Sequence, residues 1–183
     1  MQCAGLFLEG AKLGRMYVSQ AQFLDEKHAG TKQRRRMLFL RKLTKYYQPG
    51  VGEKYLAYGQ LLRPIRFLEP DPMPTSSYQE TYRMKWTVTR PSLMSAAFLA
   101  PDRSLGVFLI NISDEPITYR FELTPGKYPV EKSRRYRLSS VNADGERSGQ
   151  GEPQKGTIAA AGEIRGRDVV FLEAQCDERT AEE

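Results

Sequence analysis

Hydrophobic residues recur at helical spacing near the start of the chain. Within residues 32–47 they are separated by three and four positions, which predicts an amphipathic helix with one apolar stripe. The residues of this stripe are Met37, Leu40, Leu43 and Tyr47. Thr31 is a candidate N-cap for this helix, and a second short helix is predicted over residues 51–62. The first 65 residues are therefore expected to be mainly helical.

Further along the chain the apolar period drops to two. Residues 117–123 alternate strictly between apolar and polar, which predicts a half-buried strand. Residues 105–112 are apolar on both faces, as in a strand covered on two sides, and the turn sequence 114–116 should join the two as a hairpin. Further strands are predicted at 85–89, 93–99, 136–141, 157–164 and 169–173. Six or seven short strands without intervening helices indicate an antiparallel β-sandwich.

These patterns predict an α+β fold in which a mainly helical segment precedes a β-sandwich. The helical segment covers residues 1–65, and a proline-rich connector follows at 66–82, where neither a helix nor a sheet strand is expected. The sandwich occupies residues 83–175, and residues 176–183 form an acidic tail.

Charge and hydropathy narrow the classes of partner. No apolar run approaches the roughly 20 residues of a membrane-spanning helix, and no basic region precedes the short apolar stretch at the N-terminus, so neither a membrane anchor nor a signal peptide is expected. These features do not predict the cellular compartment of the protein. Residues 27–66 contain eleven Lys or Arg residues but only one acidic residue. This basic segment could meet nucleic-acid phosphates, but a solvated helix face is the favoured interpretation because no stacking aromatics or reader motif accompany it.

Two residues are candidates for binding a substrate. Glu9 follows an apolar stretch and precedes a glycine, as at the mouth of a barrel, although an ordinary carboxylate at a helix N-terminus is the favoured alternative. Trp86 could stack on a sugar ring, although a single Trp on a sandwich strand is more often part of the core. No second carboxylate can be paired with Glu9, so no catalytic residue is assigned.

Other motifs predict structural roles. The single histidine and the distant Cys3 and Cys176 do not form a metal site of familiar spacing, so no metal or cofactor is expected and the thiols should be free. Residues 142–146 suggest a hairpin turn rather than a calcium loop. Asn111-Ile-Ser113 matches a glycosylation triplet, but Asn111 is expected to bond the following turn instead.

Three segments together resemble the C-terminal end of bacterial glycoside-hydrolase-like proteins, in which a TIM barrel is followed by a β-sandwich. They are Tyr55-Leu-Ala-Tyr-Gly-Gln-Leu-Leu-Arg-Pro64, Ser95-Ala-Ala-Phe-Leu-Ala-Pro-Asp-Arg-Ser-Leu-Gly106 and Val107-Phe-Leu-Ile-Asn-Ile-Ser-Asp-Glu-Pro116. The resemblance implies that residues 1–65 are the end of a (β/α)8 barrel and that the sandwich is its accessory domain. Most of the barrel, including the strands that carry the catalytic carboxylates, would then lie outside this chain.

Two functions are consistent with these observations. In the first, the chain is a C-terminal fragment of a glycoside-hydrolase-like protein, inactive alone, whose sandwich supports a barrel. Its partners would be the barrel portion of the parent or a second copy bound through the exposed helix face. In the second, the chain is a stand-alone carbohydrate-binding or protein-interaction module with a helical extension.

Overall fold

The computed structural model describes residues 29–47, 50–70, 72–80, 86–149 and 151–177. This part of the chain contains the α-helix α1 (Lys32–Lys45) and a π-helix (Gly52–Ala57). Neither is long and apolar enough to cross a membrane. The strands are β1 (Gln60–Leu61), β2 (Phe67–Glu69), β3 (Thr75–Glu80), β4 (Trp86–Pro91), β5 (Leu93–Leu99), β6 (Leu105–Asn111), β7 (Ile117–Leu123), β8 (Arg135–Val141), β9 (Arg147–Ser148), β10 (Gln154–Lys155), β11 (Ile158–Ile164) and β12 (Asp168–Cys176).

Helix α1 begins where the sequence predicts it. The Thr31 hydroxyl accepts a hydrogen bond from the Arg34 backbone N–H at 3.2 Å, which confirms the predicted N-cap. The buried face differs from the predicted stripe, because Phe39, Leu43 and Tyr46 are buried whereas Tyr47 is 48% exposed. Two overlapping stripes satisfy the helical period here, and the sheet beneath the helix selects one of them.

The prediction of a mainly helical N-terminal segment is not supported. The second helix was expected to reach residue 62, but the π-helix ends at Ala57 and β1 begins at Gln60. Gly59 lies so close to the preceding turn that an added Cβ would be 2.3 Å from the Tyr55 carbonyl oxygen. The chain leaves the helix at this glycine and joins the edge of a sheet. The described chain is thus mainly antiparallel β-structure, with α1 and the short π-helix before its strands.

The strands form two principal antiparallel sheets and one hairpin. The large sheet has the order β1-β5-β6-β12-β8-β10, with β9 paired to β8. The small sheet has the order β11-β7-β2, and β3 pairs with β4 alone. The stretch 66–82, expected to hold no strand, contains β2 and β3. The proposed domain boundaries at 66 and 83 stay predictions.

The hairpin predicted between residues 105–112 and 117–123 is wrong. β6 pairs with β5 and β12 in the large sheet, whereas β7 pairs with β11 and β2 in the small sheet. The physical reason lies in the two burial patterns, since β6 is buried throughout and β7 alternates between buried and exposed residues. A strand covered on both faces belongs to the middle layer, and a half-exposed strand belongs to an outer one.

Two hydrophobic cores cover opposite faces of the large sheet. The inner core lies between the two sheets, where Val107 and Leu109 of β6 pack with Phe121 of β7. The outer core lies between the large sheet and α1, where Phe108 contacts Tyr46 with ring centroids 5.5 Å apart. Packing of two antiparallel sheets over a shared core is the arrangement that a β-sandwich requires. The helix adds a third layer to it.

Candidate functional site

A buried carboxylate marks the place where the π-helix meets the large sheet. Glu173 lies on β12 and is only 2% exposed. Phe171 lies two positions earlier on the same strand and belongs to the outer core. Because side chains two positions apart on a strand point to the same side, Glu173 also faces the outer core. A buried carboxylate is stable only when its oxygens are paired.

Within the described residues, the Glu173 side chain is bonded by the π-helix and by one other strand. Its Oε1 accepts from Lys54 Nζ at 2.8 Å and from the Tyr55 hydroxyl at 2.6 Å. Its Oε2 accepts from Arg147 Nε at 2.8 Å and from Arg147 Nη2 at 2.6 Å. The π-helix supplies Lys54 and Tyr55, and β9 supplies Arg147.

The network continues into the turn between β5 and β6. The Tyr55 hydroxyl lies 2.6 Å from Ser104 Oγ, and Ser104 Oγ donates to Asp102 Oδ1 at 2.6 Å. Lys54 Nζ also lies 2.8 Å from Asp102 Oδ2. We call this set the Glu173 network. Its members are Lys54, Tyr55, Asp102, Ser104, Arg147 and Glu173.

Electrostatics keep both carboxylates of the network ionised. Burial acts to raise the pKa of Glu173, but the bonds from Lys54, Tyr55 and Arg147 outweigh it and hold the pKa below its usual value. Asp102 behaves likewise, since Lys54 and Ser104 overcome its desolvation and lower its pKa. Burial, together with the bond to Glu173, raises the pKa of Tyr55, so its hydroxyl stays protonated.

This arrangement is unsuited to acid–base catalysis. Glycoside hydrolysis needs one carboxyl group whose pKa is raised so that it can donate a proton, and a second that faces the substrate. Glu173 and Asp102 both have lowered pKa values, and Glu173 has both oxygens occupied within a buried site. The network instead locks the π-helix to the large sheet.

A second polar joint holds the crossover between the sheets. Asn111 is fully buried, and its Nδ2 donates to the carbonyl oxygens of Glu115 at 2.7 Å and Ile164 at 3.2 Å. Its Oδ1 accepts from the Ser113 backbone N–H at 2.9 Å. The expected bond to the following turn is therefore confirmed, and the amide of the glycosylation triplet is occupied in the fold.

The two predicted binding residues cannot be placed in a site. Glu9 lies outside the described residues. Trp86 begins β4 opposite Glu80, but its side chain lies outside the described part of the structure. Residues 142–146 form the predicted hairpin turn, with the Asn142 N–H bonded to the Glu146 carbonyl at 3.0 Å. No group of three or more His, Cys, Asp or Glu side chains that could hold a metal occurs among the described residues.

Part of the basic segment contacts acids of the large sheet and of the turns between its strands. Lys42 Nζ lies 2.7 Å from Asp168 Oδ1, and Lys54 bridges two carboxylates in the Glu173 network. Lys45 approaches Asp144 at 3.9 Å. These lysines thus serve the attachment of the helical layer, which the uneven charge distribution did not reveal.

Sequence reasoning assigned no role to Glu173, although a signal was present. Within the strand predicted at 169–173, alternation places Glu173 on the same face as Val169 and Phe171. A glutamate on an apolar face indicates a buried carboxylate that needs a cationic partner. The partners themselves lie 119 and 26 positions away in sequence, so they could not have been identified without the fold.

Comparison with known proteins gives no family assignment. No known protein-family profile and no curated protein matches the sequence. Solved structures with partial similarity include a bifunctional glucanase-xylanase from a metagenome library, with 10% identity over 51% of this chain and 18% of that chain and a TM-score of 0.31. A second is a GH30 endoxylanase from Clostridium papyrosolvens C71, with 9% identity over 51% of this chain and 23% of that chain and a TM-score of 0.29. A third is the family 44 endoglucanase from Clostridium thermocellum, with 13% identity over 51% of this chain and 18% of that chain and a TM-score of 0.28. The aligned part thus spans less than a quarter of each of these glycoside hydrolases, and likeness at this level assigns no activity.

Proposed function

We propose that this chain is the C-terminal portion of a glycoside-hydrolase-like protein, in which the two-sheet unit is a β-sandwich accessory domain. It stabilises the polypeptide that precedes it and carries no complete active site. The proposal of a longer parent protein is based on the resemblance of three sequence segments to that group of proteins. The contacts that those segments make in the fold support the accessory role.

One observation carries the proposal: residues of all three segments serve as joints within the fold. Tyr55 of the first segment is fully buried against Gly106 of the second. Asn111 of the third segment ties β6 to the carbonyl of Ile164 at the end of β11. Residues with these roles hold layers together, which is the task of a structural domain.

The same contacts explain how the sandwich could support a barrel. The π-helix is fixed to the large sheet by the Glu173 network and by Tyr55, whose ring centroid lies 4.9 Å from that of Phe171. A preceding barrel helix would therefore be attached through a rigid junction rather than a flexible linker. The barrel portion or a second copy would bind on the helical layer, where the side chain of Leu38 is 41% exposed.

The length of the polypeptide made in the source cells tests whether this chain is part of a longer parent protein. An antibody raised against the 183-residue chain should detect a substantially larger polypeptide in extracts of the source cells. The purified chain should release no reducing sugar from xylan, β-glucan or cellulose oligosaccharides. A natural product of 183 residues, or turnover by the purified chain that persists through further purification, would overturn the proposal.

The alternative is a stand-alone carbohydrate-binding module that uses Trp86. It predicts a natural product of 183 residues and polysaccharide binding that is lost in Trp86→Ala. Pull-down on insoluble xylan and cellulose distinguishes the two functions, because the accessory role does not depend on Trp86.

A further inference from the structure

Three exposed cations lie together at one end of the large sheet, where β8 begins beside β10. Arg135 of β8 and Lys155 of β10 are direct cross-strand partners, so their side chains lie on the same face. Lys132, in the turn before β8, lies next to Gly156, because a Cβ added to this glycine would be 3.8 Å from Lys132 Cα. All three cations are exposed. We call Lys132, Arg135 and Lys155 the cationic edge.

The cationic edge has no counter-charge among the described residues. None of its three members forms an ion pair there. Two acids that are close to it along the chain or in the sheet serve other cations, since Glu131 pairs with Arg134 at 2.8 Å and Asp177 pairs with Arg137 at 3.1 Å. Like charges directly opposite each other on neighbouring strands destabilise a sheet. An anionic group bound at the cationic edge would relieve this repulsion.

The acidic tail of the chain begins beside the cationic edge. Asp177 donates its backbone N–H to the Arg135 carbonyl oxygen at 2.8 Å, which places the next residue of the chain next to Arg135. Residues 178–183 contain three glutamates and a single arginine. Six residues span at most about 20 Å when extended. Neighbouring strands are only about 4.8 Å apart, so this length suffices to cross from β12 over β8 to β10.

We propose that the cationic edge is a docking surface for an acidic polypeptide segment, and that residues 178–183 of this chain are the segment that occupies it. The opposite charges of the two parts favour the contact. A single exposed ion pair contributes little, so a free anion binds weakly at such a surface. The tail is attached beside the surface, and this attachment gives it a high effective concentration there. The inference does not depend on the parent being a glycoside hydrolase.

Carbodiimide cross-linking of the full chain tests the contact, because this reagent joins a carboxylate to a lysine amine when the two groups touch. Mass spectrometry of the digested monomer should show amide bonds from the tail glutamates to Lys132 and Lys155. Lys42 is the matched control, since its side chain is 55% exposed but lies 2.7 Å from Asp168 at the other end of β12. At about 3.3 Å per residue, Asp168 is about 30 Å from Asp177, and the tail should not be joined to Lys42.

Charge dependence distinguishes docking from the random contacts of an attached tail. In about 1 M NaCl the screening length falls to about 3 Å, and the yield of tail cross-links should fall at least about threefold. Arg135→Gln should lower the yield in the same way, because it removes attraction while both reactive lysines stay in place. The pair Lys54 and Asp102, 2.8 Å apart in the fold, provides a reference cross-link for the activity of the reagent at each salt concentration.

Four outcomes would overturn the inference. Absence of tail cross-links to both lysines would show that the tail does not occupy the surface. Yields that are unchanged both in high salt and in Arg135→Gln would show contact through the attachment alone. Tail cross-links found only between two molecules would make a second copy the occupant. A response of the Lys155 and Gly156 amides to inorganic phosphate, without tail cross-links, would assign the cationic edge to an external anion.

Discussion

Gly106 faces Tyr55 so closely that a Cβ at position 106 would lie 2.6 Å from Tyr55 Cδ1. The same Cβ would lie 2.8 Å from Phe171 Cε2. Both rings are fully buried, so neither can move without disturbing the outer core. The absence of a side chain at residue 106 therefore allows Tyr55 to reach the carboxylate of Glu173.

Gly106→Ala should destabilise the protein by about 1–3 kcal/mol, because overpacking would force Tyr55 outward and strain its bond to Glu173. Urea unfolding monitored by circular dichroism measures the change. The matched control is Gly151→Ala, where the nearest atom to an added Cβ is the Leu138 carbonyl oxygen at 3.9 Å, an ordinary contact. Equal stability of the two variants would show that Tyr55 does not pack on Gly106 as described.

Tyr55→Phe isolates the hydroxyl from the ring. The substitution preserves packing on Phe171 but removes the donor to Glu173 and the contact with Ser104. A loss of about 1–3 kcal/mol is expected, since a buried charged acceptor loses one of its bonds. Tyr58→Phe is the control, because Tyr58 is 68% exposed and should change stability by less than about 0.5 kcal/mol. A Tyr55→Phe variant as stable as wild type would contradict the proposed lock.

The elements themselves were largely predictable from sequence, whereas their pairing was not. Alternation identified β7, and the apolar run identified β6 as a strand buried on both faces. The turn at 114–116 led to the wrong prediction of a hairpin, because a short connection between two strands is compatible with a hairpin and also with a crossover between two sheets. The burial patterns of β6 and β7 fit the crossover, and Asn111 stabilises it by bonding the carbonyl of Ile164, a contact 53 positions away in sequence.

The candidate sites were predictable only in part for the same reason. Glu173 stands out by its position on an apolar face, but the cation that neutralises it comes from another element. Neither Glu9 nor Trp86 belongs to the described sites.

The pH dependence of stability should show the contribution of the ionised Glu173 side chain. Its pKa in the folded protein is lower than in the unfolded chain, so its stabilising contribution is complete above the unfolded value of 4.5 and is lost as the pH falls through the folded value. At neutral pH, Glu173→Gln should cost about 1–3 kcal/mol, because Arg147 and Lys54 lose a charged acceptor, although both are partly exposed and Lys54 keeps its contact with Asp102.

The difference in stability between wild type and Glu173→Gln should therefore shrink on acidification below pH 4.5. Thermal denaturation from pH 7 to pH 3 provides the measurement, and Glu163→Gln on the exposed face of β11 serves as the control. A difference that stays constant over this range would mean that Glu173 is not ionised in the fold.

Asn111→Ala should destabilise the crossover between the two sheets. The alanine would leave the carbonyls of Glu115 and Ile164 and the N–H of Ser113 without the Asn111 amide, and a loss of about 2–4 kcal/mol is expected from several lost buried bonds. Asn142→Ala is the control, since Asn142 makes comparable bonds to Asp144 and Glu146 in an exposed turn. Chemical denaturation should show the larger loss for Asn111→Ala, and the reverse order would argue against the crossover joint.

Gln154 protects the outer edge of the small sheet. Its Oε1 accepts from the Ala159 N–H at 2.6 Å and its Nε2 donates to the Ala159 carbonyl at 3.0 Å, so one side chain imitates a neighbouring strand at the edge of β11. Gln154→Ala should expose both backbone groups to water with little effect on the core. Hydrogen exchange at the Ala159 amide should accelerate at least about tenfold, while the amide of Phe121 in the middle of the sheet should be unaffected. If both amides accelerate together, exchange occurs through unfolding of the whole sheet, and Gln154 has no local protective role.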